Sequence, residues 1–83
     1  MKLKSAIKKL SKLTKVEKNG GQYSGVVNGN VIEFRACNSQ EEDTRITCIR
    51  VRSIKDEDDS MTDYFAGVWC NNLSRAIKVA TAA

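Results

Sequence analysis

Among its 83 residues the chain has no histidine and no proline, three cysteines and five aromatic residues. Each scarcity excludes something. Without histidine, the commonest general base and metal ligand is missing. Cys37, Cys48 and Cys70 are odd in number, widely spaced and without a C-x-x-C pair. A small secreted domain usually carries an even disulfide framework, so three thiols in a reducing compartment are expected. A Cys37–Cys48 bridge across neighbouring strands is the alternative. No apolar run approaches the roughly 20 residues needed to span a bilayer. The first eighteen residues are lysine-rich but lack the apolar block and cleavage site of a signal peptide. A cytoplasmic protein with no membrane partner is expected, folded as one domain over residues 1–83 around one small core. At this size the missing proline excludes nothing.

What is present is charge, unevenly placed. Residues 1–18 hold seven lysines against Glu17, whereas residues 41–63 hold eight acids against Arg45, Arg50, Arg52 and Lys55. The net charge of +4 therefore describes a dipolar molecule. Such a molecule suits protein partners at least as well as nucleic acid.

Leu3, Ala6, Ile7, Leu10 and Leu13 recur at helical spacing among lysines, which predicts an amphipathic helix running to "KNGG", with Asn19-Gly20 as a left-handed stop. The period then becomes two. In "QYSGVVNGNVIEFRA" the Asn28-Gly29 pair favours a two-residue hairpin turn, which would set Tyr23 opposite Phe34, Gly25 opposite Ile32 and Val27 opposite Asn30. Gly25 would let Ile32 or a helix come close. "TRITCIRVRSI" reads as a third strand whose alternation slips once. Either both its faces are covered or a bulge re-phases it. "YFAGVWC" reads as a fourth strand, and Asn71 or Asn72 can cap a closing helix with a Leu73, Ala76, Ile77, Ala80 stripe. The expected fold is α+β: a four-stranded antiparallel sheet with one N-terminal and one C-terminal helix on one face (α-β-β-β-β-α).

The acidic stretch "KDEDDSMTDYFAGVW" admits four readings. As a calcium loop starting at Asp56 it would have Met61 where glycine turns the chain and Gly67 where the closing glutamate belongs. Zinc is disfavoured by the absence of histidine and of paired cysteines. Adjacent acids in one polar loop share one environment, and general acid–base chemistry needs two. No metal, cofactor or catalytic residue is therefore expected, and no enzymatic activity. What is left is a solvated connection or an acidic contact surface that imitates a phosphate backbone. Trp69 is either a core residue or, on an uncovered sheet face, an interface anchor.

Lys4, Lys8, Lys9, Lys12 and Lys15 invite the opposite idea, a helix that grips phosphates. In element order the chain is similar to the double-stranded RNA-binding domain, although that family's lysine-rich start to the last helix is here "NNLSRAIK".

Residues 49–80 carry a closer resemblance. Arg50, Val51 and Arg52 alternate, Asp58 and Asp59 stand in an Asp-rich turn, Asp63-Tyr64-x-Ala66-Gly67 follows, and Leu73, Ala76 and Ile77 form an N-L-x-x-A-I helix. This pattern resembles short domains encoded by bacteriophages and other mobile elements, some of them found inside large polyvalent proteins. The resemblance implies a small non-enzymatic protein that binds and masks a host nucleic-acid-handling complex, an anti-defence inhibitor of the anti-CRISPR type. Its contact residues would be Asp56, Glu57, Asp58, Asp59 and Asp63, with Arg50, Arg52, Tyr64 and Trp69. The alternatives are nucleic-acid binding through the lysine helix and a structural or assembly subunit.

Overall fold

A computed structural model describes residues 1–38, 43–54 and 67–82. Its elements are α1 (Leu3–Ser11), β1 (Glu17–Asn19), β2 (Gln22–Val27), β3 (Asn30–Ala36), β4 (Ile46–Ser53), β5 (Val68–Cys70) and α2 (Leu73–Thr81). The strands form one antiparallel sheet in chain order, β1-β2-β3-β4-β5. The class is α+β as expected, with five strands where four were expected.

The extra strand replaces the end of the expected first helix. α1 stops at Ser11 and not near Gly20, and Leu13 is exposed. The apolar stripe facing the sheet is complete with Leu3, Ala6 and Leu10, and β-branched Thr14 and Val16 favour leaving the helix. Gly20 is left-handed, with φ +67°, but it turns β1 into β2 and does not end a helix. Gly25 makes the crossing from α1 to β1 fit. A Cβ there would lie 2.6 Å from Thr14 Cγ2 and 3.3 Å from both Leu10 Cδ2 and the Lys15 carbonyl oxygen. The close neighbours are thus Leu10 of α1 and the chain that follows it, as a helix approach requires, and not Ile32.

The central hairpin has the expected register, Tyr23 to Phe34, Gly25 to Ile32 and Val27 to Asn30. Asn28 and Gly29 both have positive φ, 52° and 77°, as a type I′ turn requires. The slipped alternation in β4 is a bulge. Glu33 pairs with Arg50 and Arg35 with Thr47, so Cys48 and Ile49 together oppose Phe34. Ile46 and Ile49 therefore both reach the core side.

Cys48 is the residue that bears this bulge, at φ +53° with its side chain exposed. A left-handed non-glycine residue costs about 1–2 kcal/mol. Glycine would remove that cost and add back about 0.5–1 kcal/mol of chain entropy. Cys48→Gly should therefore raise the urea midpoint by about 0.5 M at unchanged m-value, and Cys48→Val should lower it. An unchanged or lower midpoint for the glycine variant would show that the bulge stores no strain.

Both helices lie on the sheet face of Ile32, Phe34, Ile49 and Val51. Leu3, Ala6 and Leu10 of α1 and Leu73, Ala76 and Ala80 of α2 complete one buried cluster with them. The helix ends are tied to the sheet. Leu3 N–H donates to the Thr44 carbonyl and Ile46 N–H to the Met1 carbonyl, which ties the start of α1 to the segment entering β4 without a side-chain cap. The Asn72 side chain accepts from Arg75 N–H at 2.8 Å and caps α2. Asn30 Nδ2 donates to the Ala80 carbonyl at 3.0 Å, joining the hairpin to the far end of that helix.

Candidate functional site

The side of the sheet away from the helices carries a row that crosses every strand. Glu17 pairs with Ser24, Ser24 with Glu33, Glu33 with Arg50 and Arg50 with Trp69. Strand pairing puts these five side chains on one face, because directly opposed residues share a side of the pleat. Beside that row, Val26, Val31 and Arg52 form a second.

Glu33 organises the centre. It is only 4% exposed although no helix covers it. Its Oε1 accepts from Arg50 Nε at 2.6 Å and from Arg52 Nε at 3.2 Å, while Oε2 accepts from Gln22 Nε2. The two guanidiniums are largely buried as well, at 18% and 17% side-chain exposure. A carboxylate removed from water needs this many donors. Held by Glu33, the Arg50 guanidinium lies 5.4 Å from the centre of the Trp69 ring, in cation–π range. Trp69 is 41% exposed, which places it outside the core.

Arg50, Arg52 and Trp69 are thus brought together. Asp56, Glu57, Asp58, Asp59, Asp63 and Tyr64 lie outside the described residues. Sequence reasoning missed Glu33 as the residue that unites the arginines. The hairpin register placed it on the correct face, but its pairing with β4 depends on the bulge.

The lysines form a separate surface. Lys4, Lys8 and Lys12 are exposed on the side of α1 opposite Leu3, Ala6 and Leu10, and Lys15 is exposed past its end. Lys9 departs from this set. It is half-buried and donates from Nζ to Ser74 Oγ, linking the two helices.

Where β5 meets α2, Trp69, Cys70, Asn71, Asn72 and Arg75 line an open cleft of about 310 Å³. Burial pushes the Cys70 thiol above its ordinary value, and the charge of Arg75 offsets part of that rise. A thiol held protonated in this way is a poor nucleophile. Cys37 and Cys48 are exposed free thiols. Cys37 N–H bonds to the Arg45 carbonyl, while Cys48 stands opposite Phe34, three positions along β3. At about 3.3 Å per residue that is roughly 10 Å, beyond disulfide reach. Among the described residues no three Cys, Asp or Glu side chains gather as metal ligands, and no helix is long and apolar enough to cross a membrane.

No family model, curated protein or solved structure matches this chain.

Proposed function

We propose that the chain is a non-enzymatic binding protein of a phage or other mobile element, and that it masks a host nucleic-acid-handling protein in the manner of an anti-CRISPR inhibitor. The observation that supports this reading is the Trp69–Arg50 pair, an exposed indole under a guanidinium that Glu33 holds in place. Tryptophan and arginine are enriched among the few residues that dominate binding energy at protein interfaces. An arginine already fixed by an intramolecular carboxylate loses little freedom on docking, so more of its contact energy appears as affinity. Arg52 flanks the pair on the same face. The acids Asp56, Glu57, Asp58, Asp59 and Asp63 and the ring of Tyr64 are assigned to the same contact, where the acids would meet a basic surface of the partner.

The test is a pull-down from a bacterial lysate with tagged protein, with and without nuclease. A partner that survives nuclease is identified, and its affinity is then measured against Trp69→Ala. That variant should bind more weakly by about 2 kcal/mol, roughly thirtyfold, with an unchanged circular dichroism spectrum. Recovery of nucleic acid alone, or wild-type affinity in the variant, would overturn the reading. A stable homo-oligomer in light scattering, with no host partner, would favour an assembly subunit.

A further inference from the structure

The layer of two helices has a property that the masking reading does not use. All ten acidic residues of the chain lie between Glu17 and Asp63, so neither helix contains one. The outward side of α1 presents Lys4, Lys8 and Lys12, and the exposed positions of α2 present Arg75 and Lys78. Both helices pack on the same sheet face, and the Lys9–Ser74 hydrogen bond joins their flanks. The five charges therefore belong to one continuous surface and not to a single helix.

We infer that this helix layer is a binding surface for the phosphate backbone of duplex nucleic acid. Three features select that ligand. The first is spacing: lysines four residues apart on a helix stand about 6 Å apart along its axis. Lys4 to Lys12 thus spans about 12 Å, on the order of three phosphates of one strand. The second is the absence of aromatic residues from α1 and α2. Single-stranded ligands are held by stacking bases on aromatic rings, and a duplex backbone needs only charge and hydrogen-bond donors. The third is that exposed apolar residues only flank α1, as Met1 and Leu13, while the outward side between Lys4 and Lys12 holds only serine besides lysine, in Ser5 and Ser11. A protein partner would want an apolar or aromatic anchor there, and a membrane surface would want large apolar residues.

The surface lies across the sheet from the Trp69–Arg50 pair; Arg75 also lines the cleft beside Trp69, so the Lys4, Lys8 and Lys12 variant tests the surface apart from that face. Its failure and that of the masking reading are therefore separable. The experiment is fluorescence anisotropy of a labelled 20-base-pair DNA duplex (length on the order of a site two turns long) titrated with the full chain at several salt concentrations. Five phosphate contacts predict a slope of log K against log salt of about −4.5. Lys4→Gln/Lys8→Gln/Lys12→Gln should bring it to about −1.8, and Arg75→Gln/Lys78→Gln to about −2.7. These side chains are exposed, so circular dichroism should confirm that both variants fold. Arg35→Gln/Arg45→Gln removes the same charge as the α2 pair from exposed positions on the Glu33 side of the sheet and should leave the slope nearly unchanged. Trp69→Ala should bind the duplex like the parent chain.

Three results would overturn the inference. One is an absence of duplex binding at low salt, including a chain that sediments with phosphatidylserine vesicles but ignores DNA. Another is an unchanged slope in the α2 variant, which would reduce the surface to α1. The last is an equal loss in the Arg35/Arg45 control, which would show only the pull of net charge.

Discussion

Gly67→Ala is expected to destabilise the protein by about 2–5 kcal/mol and to lower the melting temperature by at least about 8 °C. Two costs combine. Gly67 sits at φ +86°, where a side chain adds about 1–2 kcal/mol of backbone strain. An added Cβ would also press into the Val51 carbonyl, closer than any ordinary contact, and stand 3.0 Å from Arg52 Cβ. Backbone atoms of a paired strand cannot step aside as a flexible side chain can, so about 1–3 kcal/mol of overpacking follows. Against a total stability of about 4–12 kcal/mol for a domain of this length, that is a large share. Gly20→Ala is the comparison, because Gly20 has φ +67° with nothing within 4 Å of an added Cβ. It should cost only about 1 kcal/mol. Equal losses in the two variants would show that the approach to Val51 carries no weight. Because Gly67 leads into β5, its replacement should also lift Trp69 from Arg50. Trp69 is the one tryptophan in the chain, so its fluorescence reports that separation directly.

Glu33→Gln should be the next most damaging change, at about 2–4 kcal/mol in urea unfolding at neutral pH. The amide keeps the shape of the carboxylate but leaves Arg50 and Arg52 facing one another without a counter-charge. Breaking a fully buried pair costs about 3–5 kcal/mol, and the partial exposure of both guanidiniums reduces this. Arg52→Ala should cost less, about 1 kcal/mol, since Glu33 keeps its donors from Arg50 and Gln22. Replacing the whole cluster at once, with Glu33→Leu, Arg50→Met and Arg52→Met, should restore most of the stability, because apolar groups of similar volume carry no desolvation cost. It should not restore partner binding. A Glu33→Gln protein as stable as the parent would remove Glu33 from its place at the centre of the face.

The parts of the fold that could be read from sequence are those set by neighbours in the chain. Asn28-Gly29 specifies its own turn, and the register of β2 and β3 follows from it. Leu73, Ala76 and Ala80 with an asparagine before them specify α2 and its cap. What could not be read depends on distant contacts or very short segments. A three-residue strand such as β1 has too few positions to show a period of two. The path of the chain out of α1 also needs Gly25, distant in sequence on β2, which gives the departing residues room. The bulge at Cys48 was one of two options in the sequence. Only the pairing with β3 selects it, and Glu33 finds its arginines through that pairing. Of the expected contact residues, Arg50, Arg52 and Trp69 fall on one face. The acids from Asp56 to Asp63 lie outside the described residues.

The order of the strands also has a kinetic consequence. Every strand bonds to its neighbour in sequence, so most of the sheet can form by closing short loops outward from Asn28-Gly29. The helix layer cannot form in this way. Its two helices have nine residues each, too few to persist alone in water, and Lys9 and Ser74 meet across 65 positions of chain. The helices should therefore consolidate late, on a sheet already built. A chain caught midway would expose the apolar side of that sheet before it acquired its cationic layer.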